Sequence, residues 1–197
     1  MPHDFNKKPS SWEIFTHHCL VSPLYKKYVK SLALKGNEKV LDFGSGMGTA
    51  AKHIAKILQK GNGYLICVDV SQPRMEEAKK RLRKYPNVDF QLGQIEDLPI
   101  EDNCFDAIVM HFVLHHIEKE QRQAKLKTLA NKLKPNGKIF IREPMRESHG
   151  LPLEDIRNFM QDAGLKEISF KMTRSVLRGD KMYEGMYGKN WVDLRVN

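Results

Sequence analysis

Apolar positions along this chain follow two rhythms in alternation. Short, nearly continuous apolar runs read as strands: "KVLDF" (39–43), "YLICVDV" (64–70), "VDFQLG" (88–93), "FDAIVMHFV" (105–113) and "GKIFIRE" (137–143). Between them, apolar residues recur every three or four positions and read as helices. These are "GTAAKHIAKILQKG", ending at Gly61, "SQPRMEEAKKRLRKY", capped by Ser71, and "EKEQRQAKLKTLANKLK". Upstream, "SPLYKKYVKSLALK" (22–35) carries Leu24, Tyr25, Tyr28 and Leu32 at helical spacing, with Ser22 as N-cap and Pro23 at the first helical position. Strands apolar on both faces need helices on both, which predicts a parallel sheet, doubly wound by right-handed crossovers. The turn "KPNG" precedes the fifth strand. The end of the chain differs. There, the helix "LPLEDIRNFMQDAG" leads into two β-like runs, "LKEISFKMTRSV" and "KMYEGMYG", whose short link "LRGD" closes an antiparallel hairpin.

Length and composition narrow the class. With 197 residues, 41% hydrophobic and 29% charged, the chain has the size of one domain and can bury a sizeable core. We expect an aromatic-rich N-terminal segment over residues 1–35 and a ligand-binding domain over 36–197. No apolar stretch is long enough to span a bilayer, and "MPHDFNKKPSSW" lacks the core of a secretory signal. The cysteines Cys19, Cys67 and Cys104 are odd in number and scattered, and Cys67 reads as a small core thiol. A reduced, cytoplasmic protein is the expectation. The formal charge of +9 admits a nucleic-acid partner, but much of the excess sits at helical spacing and reads first as solvated helix faces.

Candidate chemistry gathers at the carboxyl ends of the strands, where open parallel sheets bind ligands. The stretch "VLDFGSGMGTAAKHIA" (40–55) runs a strand through a glycine turn into a helix. Its spacing is G-x-G-x-G, and Thr49 stands where a dinucleotide fingerprint would place its third glycine. Asp42, two residues before Gly44, would repel a pyrophosphate but suits a ligand bearing an ammonium and a sulfonium. The helix N-terminus near Met47 can receive such a ligand's carboxylate. Asp69 at the end of the second strand fits a ribose hydroxyl pair, in either kind of adenine cofactor.

The segments "VLDFGSGMG", "ICVDVS", "GQIEDLPIEDNCFDAIVMHFVLHHI" and "LKPNGKIFIRE", in this order and spacing, resemble a class I S-adenosylmethionine-dependent methyltransferase over roughly residues 22–188. The resemblance implies a seven-stranded, mostly parallel sheet with an antiparallel last strand, and S-adenosyl-L-methionine as cofactor. By the same resemblance, Gly44, Ser45, Gly46 and Gly48 approach the methionine part and Asp42 supports its amino end. Asp69 holds the ribose, and Val70 lies against one adenine face. Ile95 covers the other face and offers its N–H; both apolar residues also read as simple core. Gln94 stands where the family commonly has an aspartate, and accepts from the adenine amino group through its amide oxygen.

Methyl transfer needs alignment of the reactants, and a general base only when the acceptor arrives protonated. His111, close to the cofactor by its place after the fourth strand, and Glu143, ending the fifth, are the catalytic candidates. Glu143 reads equally as a solvated residue or as an ion-pair partner of Arg142 or Arg146. His115 and His116 open the following helix as structural or pocket-lining residues. His17, His18 and Cys19 lack the spacing of a metal site, and no metal is expected. "HFVL" replaces the Asn/Asp-Pro-Pro-aromatic motif of exocyclic-amine methylation, and no cysteine is placed as a cytosine carbon-5 nucleophile. Phe5, Trp12, Phe15, Tyr25 and Tyr28 suggest a lid, lined by Trp12 and Phe15, or else a helix packed permanently on the sheet. A small-molecule acceptor is favoured. RNA or protein methylation, a non-catalytic cofactor-binding role and an NAD-dependent oxidoreductase are the alternatives.

Overall fold

The computed structural model describes residues 7–145, 150–175 and 179–189, with the side chain of His18 left out. Phe5 and Arg146 therefore lie outside the described residues. The chain divides into two compact units, one through Pro99 and one from Ile100. The expected N-terminal segment groups with the first.

The first unit opens with α1 (Ser11–Phe15), a π-helical stretch (Thr16–Val21) and α2 (Ser22–Ser31). Strands β1 (Lys39–Phe43), β2 (Tyr64–Asp69) and β3 (Val88–Leu92) alternate with α3 (Thr49–Leu58) and α4 (Gln72–Leu82). The strands are parallel in the order β3-β2-β1, with Asp42 in register with Cys67 and Asp69 with Leu92. α3 buries Ala50, Ala51, Ile54, Ala55 and Leu58, the stripe that its apolar spacing predicts. Complete burial of Ile54 alone is worth about 2–3 kcal/mol. Ser71 caps α4 as expected, its hydroxyl accepting from the Arg74 N–H.

Ser22 does not act as a cap. The chain is already helical before it, so the α2 amides have backbone partners upstream, and the Ser22 hydroxyl instead meets His53 Nε2 at 2.9 Å. The π-helical stretch that carries the chain past Ser22 holds one extra residue per turn, a form that often marks functional positions.

The second unit contains β4 (Phe105–His111), a 3₁₀ turn (Leu114–His116), α5 (Lys119–Lys132), β5 (Leu133–Pro144), α6 (Leu153–Asp162), β6 (Leu165–Arg174) and β7 (Lys181–Lys189). The strand order is β4-β5-β7-β6. β4 and β5 are parallel, and β7 runs antiparallel to both of its neighbours, as the hairpin predicted. The seven-stranded, mostly parallel sheet class expected from the sequence is the observed one.

Two local expectations change. The "KPNG" turn lies inside β5 as a bulge: Phe105 pairs with Leu133 but Ala107 with Lys138, so five residues of one strand pass two of the other. His115 and His116 do not open the long helix. They sit in their own 3₁₀ turn, and α5 starts at Lys119.

Candidate functional site

In the first unit, the turn after β1 folds back on β2. The Gly44 and Ser45 N–H groups both donate to the Val68 carbonyl, at 2.8 and 3.0 Å. The Gly46 N–H donates to Asp69 Oδ2 at 2.7 Å and the Ser71 N–H to Asp69 Oδ1 at 2.8 Å. One carboxylate thus fixes both the glycine turn and the entry to α4. Burial pushes the Asp69 pKa up, against the pull of the Ser71 and Gly46 amides and the Arg74 charge.

Gly44, Gly46 and Gly48 all have positive φ, which only glycine adopts freely. The surroundings of the last two separate their roles. A Cβ on Gly48 would meet Leu82 Cδ1 at 3.0 Å and Ala78 at 3.2 Å, so this glycine lets α3 approach α4. A Cβ on Gly46 would meet nothing within 4 Å, because the turn faces open space there.

Asp42 stands behind that turn, 2% exposed, and its Oδ2 has no hydrogen-bond partner. Burial, reinforced by the nearby Asp69 charge, pushes its pKa up to about 7. A buried acceptor atom with nothing to accept from, beside a turn that exposes backbone, suits a cation with N–H donors. The α3 N-terminus adds partial positive charge for a carboxylate. The residues therefore fit the amino-acid end of S-adenosylmethionine. Cys67, in register with Asp42, is buried, and burial together with the Asp42 charge raises its pKa well above the ordinary thiol value, which suits an inert core thiol.

At the other end of the cradle, Val70 is 53% exposed beside the Asp69 carboxylate, free to lie against an aromatic ring, whereas Ile95 is 1% exposed and packs in the core. Gln94 is exposed at its place after Gly93, whose own N–H is held by the Asp69 carbonyl at 3.0 Å.

The N-terminal helices attach to this cradle by polar contacts that no local pattern signals. Glu13 pairs with Arg74 at 2.9 Å. His17 Nδ1 meets Thr49 Oγ1 at 3.4 Å, and the same hydroxyl accepts from Arg81 Nη1 at 2.8 Å. Thr49, noted in the sequence only as a missing glycine, joins three helical segments. α1 buries none of its residues, and Trp12 and Phe15 stack on each other while 71% and 50% exposed.

In the second unit, the carboxyl ends of β4 and β5 carry the catalytic candidates. β4 stops at His111 because Phe112 turns to φ +61°, its N–H donating to the Arg142 carbonyl at 2.9 Å. His111 is buried, and its Nε2 lies 3.2 Å from Arg142 Nη1, which makes that nitrogen the acceptor. Glu143 is 0% exposed. Its Oε1 accepts from the Val113 and Leu114 N–H groups at 2.9 and 2.7 Å, and its Oε2 meets His115 Nδ1 at 2.5 Å. The expected ion-pair partner Arg142 pairs instead with Glu184, through Nε at 3.1 Å. Among the described residues, no cluster of three or more His, Cys, Asp or Glu side chains is placed to hold a metal ion. No helix among them is long and apolar enough to cross a membrane.

A family model described as a methyltransferase domain matches residues 40–137, from the strand before the glycine turn to the glycine of the β5 bulge. The chain carries a methyltransferase domain over just under half of its length. The chain is 28% identical over 110 residues to a ubiquinone/menaquinone biosynthesis C-methyltransferase, UbiE, of Wigglesworthia glossinidia brevipalpis, over 54% of this chain and 43% of that one. It is 25% identical over 168 residues to a carboxy-S-adenosyl-L-methionine synthase of Desulfotalea psychrophila, over 79% and 68% of the two chains. It thus spans less than half the length of the first relative. Its fold matches the crystal structure of a SAM-dependent methyltransferase from Aquifex aeolicus with a TM-score of 0.67 at 22% identity, covering 83% of this chain and 88% of that one.

Proposed function

We propose that this chain transfers the methyl group of S-adenosylmethionine to a small-molecule acceptor. The observation that carries the reading is the buried, unpartnered Asp42 oxygen behind a glycine turn that opens to free space at Gly46. When bound, S-adenosylmethionine supplies a carbon already activated by a sulfonium. Asp42 holds the ammonium, Gly44 to Gly46 and the start of α3 hold the carboxylate, and Asp69 takes the ribose hydroxyls through its remaining lone pairs. Val70 and Gln94 meet the adenine, with the Ile95 N–H beside them. His111 and Glu143, at the ends of β4 and β5, are the catalytic candidates of the second unit.

Relatives named for quinone C-methylation and for synthesis of a modified S-adenosylmethionine support a small acceptor. Three free cysteines, one of them exposed, suit a reducing cytoplasm. An RNA acceptor is the second reading, favoured by α2 and α3, which carry Lys26, Lys27, Lys30, Lys52 and Lys56 with no acidic residue. Calorimetry with S-adenosylmethionine, S-adenosylhomocysteine and NAD tests the cofactor, and binding of NAD alone refutes the proposal. Release of S-adenosylhomocysteine with a metabolite fraction, against release with total RNA, separates the two acceptors.

A further inference from the structure

We propose that the N-terminal helical segment is a docking surface for an anionic lipid bilayer, on which Trp12, Phe15 and Leu20 enter the headgroup layer while the lysines around them meet the lipid charge. The surface lies within the first unit and depends on neither the cofactor nor the acceptor.

Residues 11–31 form one helical rod of α1, the π-helical stretch and α2, and its two sides differ in kind. The inner side is tied to the unit. Glu13 pairs with Arg74, His17 meets Thr49, Ser22 meets His53, and Tyr28 and Val29 are buried. Trp12, Phe15 and Leu20 turn the other way, 71%, 50% and 54% exposed. The π-helical stretch aligns them. Five residues separate Phe15 from Leu20, which in an α-helix sets two side chains about 140° apart. Where the backbone hydrogen bonds span five residues instead, the fifth side chain returns to nearly the same side. An exposed apolar residue standing singly is ordinary, but three on one side of a helix mark a surface that meets a partner. α1 buries none of its residues and is held by the Ser10 cap and the Glu13–Arg74 pair, so its apolar side chains have no role in the core.

Charge selects the partner. Residues 7–31 carry five lysines, Lys7, Lys8, Lys26, Lys27 and Lys30, all exposed, and one acid, Glu13, which is turned to Arg74. α3, packed beside α2, adds Lys52 and Lys56 and no acid. Burial lowers the pKa of His53, and the charges of Lys52 and Lys26 lower it further, which gathers those two cations at the seam between α2 and α3. A second copy of the chain on this face would set lysine against lysine across a two-fold axis. An RNA would use the lysines, but Trp12 and Phe15 already stack on each other, and Leu20 offers a base no ring to stack on. An anionic bilayer takes both parts at once, with the apolar side chains at the headgroup boundary and the lysines at the charged surface. The rod lies along such a surface; no helix among the described residues is long and apolar enough to cross it.

Flotation of the full chain with vesicles tests the surface. The chain should bind phosphatidylcholine–phosphatidylglycerol vesicles, bind phosphatidylcholine alone at least about tenfold more weakly, and be released by salt. Each lysine at an anionic surface contributes roughly fivefold, so the Lys27→Glu, Lys30→Glu double variant should lose at least about 25-fold. The Trp12→Ser, Phe15→Ser double variant should lose at least about tenfold. Leu20→Ser should also weaken binding, whereas Leu92→Ser, at an apolar residue of similar exposure on β3, should not. In Trp191→Phe, Trp12 is the one tryptophan left, and its emission should shift to the blue on anionic vesicles. Thermal melts show which variants fold, and the Trp12 emission decides the matter without any substitution on the surface. Absence of flotation with anionic vesicles, an unshifted Trp12 emission, or flotation untouched by both double variants overturns the proposal. Binding of total RNA in place of vesicles, lost in the double lysine variant, assigns the lysines to nucleic acid and overturns it. A dimer in sedimentation that disappears in Trp12→Ser, without vesicle binding, does the same.

Discussion

Replacing Asp42 with asparagine should make the free protein more stable and weaken its hold on the cofactor, and pH separates the two effects. A carboxyl moved from 3.8 to about 7 binds its proton more tightly in the native state than in the unfolded one. Stability therefore falls as pH rises from about 4 to 7, and the loss is complete above the native value. The displacement corresponds to about 4 kcal/mol at pH 8, taken as an upper figure. The amide of Asp42→Asn keeps the shape and the unmade hydrogen bond but cannot ionise. The variant should melt close to wild type at pH 4 and above it at pH 8 by up to roughly 8–16 °C, at about 2–4 °C per kcal/mol for a chain of this size. The assay is a thermal melt of both proteins at each half pH unit, with and without S-adenosylhomocysteine. With ligand the gap narrows. Loss of the charge-assisted bond to the ammonium costs about 1.5–3 kcal/mol, or roughly 10- to 100-fold in affinity. Wild-type affinity should itself rise with pH through about 7, since the cation is held by the ionised form. Parallel melting curves with a gap independent of pH would refute the account of Asp42.

The two neighbouring glycines offer a paired control. Gly48→Ala meets Leu82 and Ala78 at a positive φ and should lose about 1–3 kcal/mol of stability by denaturant melt. Gly46→Ala meets only open space and should cost less in stability but weaken S-adenosylhomocysteine binding at least tenfold by calorimetry. Asp69→Ala removes the acceptor of the Gly46 and Ser71 amides and should weaken the adenosyl ligand by about 1–3 kcal/mol; unchanged affinity would count against the ribose contact. Deletion of residues 1–18 removes a helix with no buried side chain, so far-UV circular dichroism and cooperative melting should persist while turnover falls; global unfolding would end the lid reading of Trp12 and Phe15. Tyr183 donates to Glu167 at 2.6 Å, and Tyr183→Phe should cost about 1.5–3 kcal/mol, seen as a lower urea midpoint with unchanged cofactor affinity.

Most of the fold was legible because each element carries its own signal. The Ala50–Leu58 stripe, the Ser71 cap and the hairpin after α6 are local patterns, and each element stands where its pattern put it. Ser22 has the same local signature as Ser71, and only the helical chain before it, which breaks no propensity rule, cancels the cap. The bulge around "KPNG" depends on register with β4, which spacing along one strand does not carry. The cradle was read from charge and glycine placement, both local. The partners of Glu143 and Thr49 were not, because they are joined by contacts spanning 28 to 32 residues. Charge gives such contacts no periodicity, and a glutamate at a strand end looks the same whether it faces water or anchors a turn.

The Glu13–Arg74 pair has a consequence for regulation by the medium. Arg74 is a shared resource: its guanidinium holds Glu13 of the first helix and also bears on the Asp69 carboxylate. Partly exposed ion pairs weaken with ionic strength, whereas the N–H bonds around Asp69 do so far less. Salt that loosens Glu13 leaves more of the Arg74 field to Asp69, favouring its ionised form. By reciprocity, a ligand that engages Asp69 shifts the balance at Glu13. The position of the N-terminal helix and the charge of the ribose-facing carboxylate are thereby thermodynamically linked through one side chain.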